Sequence, residues 1–94
     1  MNTIQKFRAI MALDSMAALK LSTDNSWYVA ASIEKSEGGF LEGGAEYRSD
    51  PLAAIEAYWT KVSSWKYAYS RGRYCRWNDF MWLDVTEERK AEKA

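Results

Sequence analysis

The spacing of the apolar residues changes three times along this chain, and each change predicts a change of secondary structure. The spacing is helical in residues 4–21, alternates in residues 27–48, is helical again in residues 52–65 and alternates once more in residues 73–84. A period near 3.6 places apolar side chains along one face of a helix, whereas a period of two places them on one face of a strand. The sequence therefore predicts a two-layer α+β fold in the order α-β-β-α-β-β, with two helices against one face of an antiparallel sheet of two hairpins.

The first helix can be capped by Asn2 or Thr3. The apolar stripe that follows consists of Ile4, Phe7, Met11, Ala18 and Leu21. Asp14 falls inside this stripe, which leaves two interpretations. Asp14 caps a second short helix that begins at Ser15, or it is a partly buried acid that needs a cation. We favour a helix edge or cap, because charged side chains are seldom buried.

The first hairpin is predicted from two alternating segments, 27–34 and 41–48. A three-residue loop, Ser36-Glu37-Gly38, brings their apolar faces together, whereas a two-residue loop sets apolar against polar positions. The predicted cross-strand pairs are Ile33 with Leu41, Ala31 with Gly43, Val29 with Ala45 and Trp27 with Tyr47. This register leaves Glu34, Glu42 and Glu46 on an acidic outer face.

The second helix has the strongest start signal in the sequence, Asp50 followed by Pro51. An N-cap carboxylate satisfies an exposed amide, and proline at the first helical position has its backbone angle already set. We expect this helix to end near Ser64. The predicted core of the whole domain is Ile4, Phe7, Met11, Val29, Ile33, Leu41, Leu52, Ile55, Trp59 and Val62.

The second hairpin is predicted around Asn78-Asp79, because these residues tolerate the positive φ angles of a two-residue turn. The predicted cross-strand pairs are Trp77 with Phe80, Cys75 with Trp82, Arg73 with Asp84, Arg76 with Met81 and Tyr74 with Leu83. Residues 86–94 are a capped, strongly charged helical segment, which we expect to fray.

The chain length predicts one domain that spans residues 1–94, folded alone or as a small oligomer. Its formal charge is zero, but the charges are segregated. Residues 21–60 carry seven acidic and two basic side chains, whereas residues 61–78 carry five basic side chains and no acidic one. The neutral total argues against a strongly basic nucleic-acid binder, although the basic block leaves a local basic patch possible in the fold. The alternative is that the two blocks neutralise each other.

The residue types present exclude several kinds of catalytic site. The sequence has no histidine and only one cysteine, Cys75, so it cannot form a Cys/His zinc site, a Ser-His or Cys-His catalytic pair, or an internal disulfide. An enzyme that used carboxylates alone, such as Glu34 with Glu42 or Glu46, would rely on solvated acids. We therefore predict a non-enzymatic protein without metal or cofactor.

The N-terminal segment resembles a secretory signal because Lys6 and Arg8 precede an apolar stretch. Asp14 interrupts that stretch, and the segment is too short and too charged to span a bilayer. We expect a cytoplasmic protein that does not act at a membrane.

A segment rich in aromatic and basic residues, 65–82, is the candidate for binding. Trp, Tyr and Arg dominate interface hot spots, which favours a protein partner, and tyrosines that alternate with arginines can also stack on nucleic-acid bases. The predicted recognition residues are Arg71, Arg73, Arg76, Tyr67, Tyr69 and Tyr74. The structural alternative is that Arg73 pairs with Asp84 and Arg76 with Glu42 or Glu46.

The closing motif RWNDFMWLDVT, residues 76–86, follows a glycine-containing hairpin and the helix that begins at Asp50-Pro51. Over roughly residues 27–86 this arrangement resembles small accessory proteins of bacteriophages, particularly those that infect actinobacteria. The resemblance implies a protein that binds a host protein in the host cytoplasm and inhibits or redirects it, in host takeover or anti-defence. It assigns no functional residue.

Overall fold

The computed structural model describes residues 1–37 and 40–93. The mixed α+β class predicted from the sequence is confirmed, but the order of elements is not the predicted one. Its elements are α1 (Thr3–Leu13), β1 (Ala18–Leu21), β2 (Trp27–Ala30), β3 (Glu34–Glu37), β4 (Phe40–Glu42), α2 (Pro51–Ser63), β5 (Ala68–Ser70), β6 (Arg73–Trp77), β7 (Trp82–Asp84) and α3 (Thr86–Lys93).

The strands form two antiparallel sheets instead of one. A two-stranded sheet joins β1 to β2, and a five-stranded sheet has the order β4-β3-β5-β6-β7. The second sheet therefore places β5, which follows α2, next to β3, which precedes it. This crossover brings the two halves of the sequence into one structure.

The first helix is shorter than predicted. Asn2 and Gln5 form a capping box at its start, and the helix ends at Leu13. Asp14 follows in an extended conformation, so residues 18–21 form β1 and do not extend the helix. The predicted apolar stripe is wrong for this helix. The residues that α1 buries are Ile10 and Leu13, whereas Ile4, predicted in the stripe, is 64% exposed.

The predicted first hairpin is wrong. Its first strand, β2, pairs with β1 in the register Leu19 to Val29, and only a single bridge joins Trp27 to Arg48. Two causes are visible. First, residues 22–26 close a local turn between β1 and β2, which costs less chain entropy than the longer predicted connection. Second, the amide of Ser32 donates to Asp14, so it cannot donate to a neighbouring strand. Gly38 lies outside the described residues.

The residues that follow take part in a different pairing. β3 pairs with β4 through Ser36 and Leu41, three positions away from the predicted register. Ser36 is therefore a strand residue and not part of a loop, and residues 43–47 are in no strand. The predicted partnership of Ala31 with Gly43 is not formed.

The second helix was predicted correctly. It spans Pro51–Ser63, and the Asp50 carboxylate accepts a 2.8 Å hydrogen bond from the amide of Ala53. Its buried face contains Ile55, Tyr58, Trp59 and Val62. Leu52, predicted in the core, is 54% exposed because it lies in the first turn, on the solvent side.

The second hairpin exists, but its register is shifted by two residues. Trp77 pairs with Trp82, Arg76 with Leu83 and Cys75 with Asp84. The Asn78 side chain accepts hydrogen bonds from the amides of Phe80 and Met81, which makes residues 78–81 a four-residue loop. A shift of two keeps every side chain on its predicted face, but it moves Phe80 out of the strand.

The core lies between the two longer helices and one face of the large sheet. Trp59 on α2 contacts Trp77 and Trp82 edge-on, with ring centroids 4.8 and 5.9 Å apart. The Trp82 indole also donates to the carbonyl of Ala9 on α1, at 2.9 Å. Of the predicted core, Val29, Ile33, Ile55, Trp59 and Val62 are buried, Phe7 is partly buried, and Ile4, Met11, Leu41 and Leu52 are exposed.

The third helix lies on the opposite face of the large sheet. Arg89 is 4% exposed, and its Nε atom donates a 3.0 Å hydrogen bond to Ser36 on β3. Its guanidinium also lies over the rings of Tyr67 and Tyr74, at 5.2 and 5.9 Å. The terminal segment that we expected to fray forms a helix over residues 86–93, held by the buried Arg89 and by ion pairs of Glu88 and Glu92, and the sheet carries helices on both faces.

The packing of Trp59 against Trp77 and Trp82 predicts that truncating Trp59 strongly destabilises the protein. Trp59→Ala should lower the free energy of unfolding by about 3–5 kcal/mol, because it leaves a cavity between α2 and the sheet. Leu52→Ala on the same helix is the control, with an expected change within about 0.5 kcal/mol. Urea unfolding measures both, and equal effects would contradict the packing described here.

Candidate recognition surface

The predicted recognition residues are brought together on one hairpin. β5 and β6 are joined by a tight turn in which Arg71 and Gly72 have φ angles of 52° and 81°. Positive φ at both central positions suits the right-handed twist of a hairpin, but it is uncommon for arginine. A contact from outside the hairpin holds Arg71 in this conformation.

That contact is an ion pair with Asp14 in which two guanidinium nitrogens donate to one carboxylate oxygen. The Nη2 and Nε atoms of Arg71 lie 2.5 and 3.1 Å from the same carboxylate oxygen. The Asp14 carboxylate also accepts from the amides of Ser32 and Met16, at 2.8 and 3.0 Å. It is 2% exposed, so the buried acid that needs a cation is the correct interpretation of Asp14, and the second short helix is not formed.

The same contacts control the charge of Asp14. The hydrogen bond from the Ser32 amide lowers the pKa of the Asp14 carboxyl, burial opposes this, and the Arg71 guanidinium and the Met16 amide lower it further. Asp14 therefore stays ionised in the folded protein. Arg71, half exposed, has a structural role in this arrangement.

Arg76 also has a partner within the protein. Its Nη1 atom lies 3.2 Å from the Glu88 carboxylate on α3. Of the two acids that the sequence suggested as alternatives, Glu46 pairs with Lys61 and Arg48.

Arg73 is exposed at the start of β6. Its predicted cross-strand position opposite Asp84 is taken by Cys75, because of the shifted register. Hydrogen bonds from Thr86 are the main cause of the lowered pKa of Asp84, and the charge of Arg73 adds to them.

The three tyrosines separate into two environments. Tyr69 and Tyr74 are paired across β5 and β6, with ring centroids 4.8 Å apart, and each is partly exposed. Tyr67 is 3% exposed. Its hydroxyl makes no hydrogen bond of acceptable geometry with the part of the chain that is described, although burial and the nearby Glu92 carboxylate raise its pKa.

Sequence reasoning missed the most exposed apolar residues of this region. Phe80 is 88% exposed and Met81 57% exposed in the loop between β6 and β7, and Leu83 on β7 is 36% exposed. Asn78 was the signal in the sequence for a longer loop, because an Asn side chain can accept hydrogen bonds from backbone amides two and three residues ahead. We had assigned Phe80 to a strand.

Comparisons with known proteins found no match. No family model matches the chain, and neither the curated proteins nor the solved structures contain a significant relative.

In the described part of the chain no three acidic or cysteine side chains are grouped to hold a metal ion. No helix described here is long and apolar enough to cross a membrane.

The ion pair predicts that Asp14→Asn destabilises the protein. We expect a loss of about 2–3 kcal/mol at pH 7, less than for a fully buried pair because Arg71 can be hydrated. A lowered folded-state pKa stabilises the fold above the unfolded value of 3.8, and this contribution is lost as the pH falls through the folded value. The difference between wild type and variant should therefore shrink below about pH 4. Chemical unfolding across pH measures it.

Asp79→Asn is the control for that experiment, because Asp79 is exposed and its φ of 80° is tolerated by Asn. Its stability should follow that of the wild type at every pH. A pH-independent cost of Asp14→Asn would mean that the charge of Asp14 contributes nothing.

The buried tyrosine predicts an unusual result for a core substitution. Tyr67→Phe should leave the free energy of unfolding unchanged or raise it by up to about 1 kcal/mol, because it removes a buried hydroxyl without a hydrogen-bond partner. Thermal and urea unfolding measure the change, with Tyr69→Phe as the control. A loss of more than about 1 kcal/mol would show that the hydroxyl is bonded to Glu92.

Proposed function

We propose that this chain is a small non-enzymatic binding protein whose partner is another protein, which it inhibits or redirects. The resemblance of residues 76–86 to phage accessory proteins favours a host protein as that partner. The observation that supports binding most strongly is the exposed apolar loop between β6 and β7.

This loop presents side chains that a solvated surface does not need. Phe80 and Met81 are 88% and 57% exposed, and Leu83 follows at 36%. Hydrogen bonds from two backbone amides to Asn78 and from the Asn78 amide to the Met81 carbonyl hold the loop in one shape. Contiguous exposed apolar residues on an ordered loop are typical of a protein-binding site, since burying them costs little conformational entropy.

The neighbouring sheet face, on part of which α3 packs, extends this surface. Leu83 is paired with Arg76, and Tyr74 is the next residue of β6 on the same face, opposite Tyr69. Aromatic residues and Arg around an apolar centre have the composition of interface hot spots. Three of the six residues predicted from the sequence, Tyr69, Tyr74 and Arg76, would border this interface. Arg73 lies on the other face of β6, at the end away from the loop, and Tyr67 and Arg71 support the fold.

A nucleic-acid partner has weaker support. Phosphate binding requires basic side chains that are available to a ligand, and Arg71 and Arg76 already pair with Asp14 and Glu88. Arg71 and Arg73 are both exposed, but Arg71 is held by Asp14. The tyrosine pair could stack on bases, but few of the arginines beside it are available to a ligand, so the electrostatic attraction would be small.

A capture experiment with a matched pair of variants tests the proposal. The tagged protein is incubated with a lysate of the native host, with and without nuclease, and stoichiometric partners are identified by mass spectrometry. Phe80→Ser should weaken partner binding at least about tenfold, about 1.4 kcal/mol, because it removes the central apolar side chain. Its thermal midpoint should not change, since Phe80 is almost fully exposed.

Met16→Ser is the control, because Met16 is 75% exposed on another part of the surface and should not affect capture. Equal capture by wild type and Phe80→Ser would contradict a role for the loop. Capture that disappears after nuclease treatment would instead favour a nucleic-acid partner.

A further inference from the structure

A groove lies on the face of the large sheet that α3 covers. It has a volume of about 470 Å³ and opens between β3, the segment that joins α2 to β5, and α3. Its size falls within the range of small-molecule sites, about 300–1,000 Å³. The lining residues used below are Ser36, Trp65, Lys66, Tyr67, Arg89 and Glu92.

One carboxylate in this groove, that of Glu92, is paired with a lysine and lies near a phenol and a guanidinium. The Lys66 Nζ atom lies 2.9 Å from Oε1 of Glu92. The Tyr67 hydroxyl and the Arg89 guanidinium also influence Glu92, because the hydroxyl and Lys66 are the main causes of its lowered pKa and the charge of Arg89 adds to them. The Tyr67 hydroxyl nevertheless lacks a well-formed hydrogen bond in the described structure.

Two of these donors are held rigidly. Arg89 is 4% exposed and is fixed by its bond to Ser36, and Tyr67 is 3% exposed. Lys66 and Arg89 both lie against the Tyr67 ring, at 5.3 and 5.2 Å from its centroid. A rigid guanidinium and phenol next to a movable lysine are well suited to bind an oxyanion.

Glu92 itself is held weakly. Its side chain is 42% exposed and that of Lys66 is 61% exposed, and exposed ion pairs contribute little to stability. Glu92 also lies near the end of α3, one residue before its last residue, Lys93. The carboxylate can therefore be displaced without disturbing the core.

We propose that this groove is a binding site for an organic oxyanion, a carboxylate or phosphate on an apolar body, and that Glu92 occupies the anion position when no ligand is bound. The rings of Trp65 and Tyr67 form the apolar wall. The oxyanion replaces Glu92 at Lys66 and completes the hydrogen bonding of the Tyr67 hydroxyl. The site is separate from the β6–β7 loop and does not depend on the proposed protein partner.

Titration followed by ¹H–¹⁵N NMR tests this site on the full chain. Benzoate and phenyl phosphate serve as probes, and neutral benzamide is the control for the apolar body. We expect saturable shifts of the Lys66 and Tyr67 amides and of the Arg89 Nε–H with at least one anion and not with benzamide. Saturation by benzoate alone assigns a carboxylate ligand, and saturation by phenyl phosphate alone assigns a phosphate ligand.

Variants at two positions separate binding from structure. Glu92→Gln should tighten binding of the anion at least about threefold, because the competing charge is gone, and Tyr67→Phe should weaken it at least about threefold. Glu87→Gln, an exposed position on the same helix, should bind as the wild type does. Equal shifts with benzamide, no saturation in either wild type or Glu92→Gln, or weaker binding by Glu92→Gln would each overturn the proposal.

Discussion

The buried carboxylate of Asp14 joins the small sheet and the large sheet at the end of α1. It follows the last residue of α1, it removes the Ser32 amide from the β2 ladder, and it fixes Arg71 in a strained turn 57 residues away. The Ser70 hydroxyl adds a bond to the Leu13 carbonyl at 3.0 Å. The end of the first helix, the break after β2 and the β5–β6 turn are therefore joined through one group, and an isolated buried charge would be too costly to persist without these partners.

The charge segregation along the sequence acquires a different meaning in three dimensions. The basic block does not mainly neutralise the acidic block. Arg71 pairs with Asp14, and Arg76 and Lys66 pair with Glu88 and Glu92 on α3. Among the described ion pairs, Lys61 is the member of the basic block that reaches an acid of the acidic block, Glu46, at 3.8 Å. Arg71 and Arg76 thus attach the hairpin to the end of α1 and to α3. The basic patch inferred from the sequence is therefore smaller, and exposed apolar side chains become the stronger argument for binding.

The two faces of the large sheet consequently differ in character. One face packs its tryptophans against α2 and forms an apolar core. The other carries tyrosines and a buried arginine beneath a short, strongly charged helix. Arg89 is the buried contact of this polar helix, because its guanidinium stacks on aromatic rings and bonds to Ser36, and the ion pairs of Glu88 and Glu92 add to it. The groove beside this helix contains a buried hydroxyl without a well-formed hydrogen bond in the described part of the chain, and the loop beyond β6 exposes two adjacent large apolar residues.

The sequence by itself determined the elements whose signals are local. The Asp50-Pro51 start and the stripe of α2, the existence of the β6–β7 hairpin and the mixed fold class follow from capping chemistry and from period alone. The tertiary structure decided strand partners, registers and the roles of charged residues. Alternation shows which face of a strand is buried but not which strand lies beside it. The sequence therefore predicted residues 41–48 as the partner of β2, whereas its partner in the structure is residues 18–21. The structure places five of the six predicted recognition residues on the β5–β6 hairpin and Tyr67 directly before it, but Arg71, Arg76 and Tyr67 have partners or burial that depend on α1 and α3. Distant contacts of this kind leave no periodic trace in the sequence, because they join residues whose separation along the chain is unrelated to any regular structure.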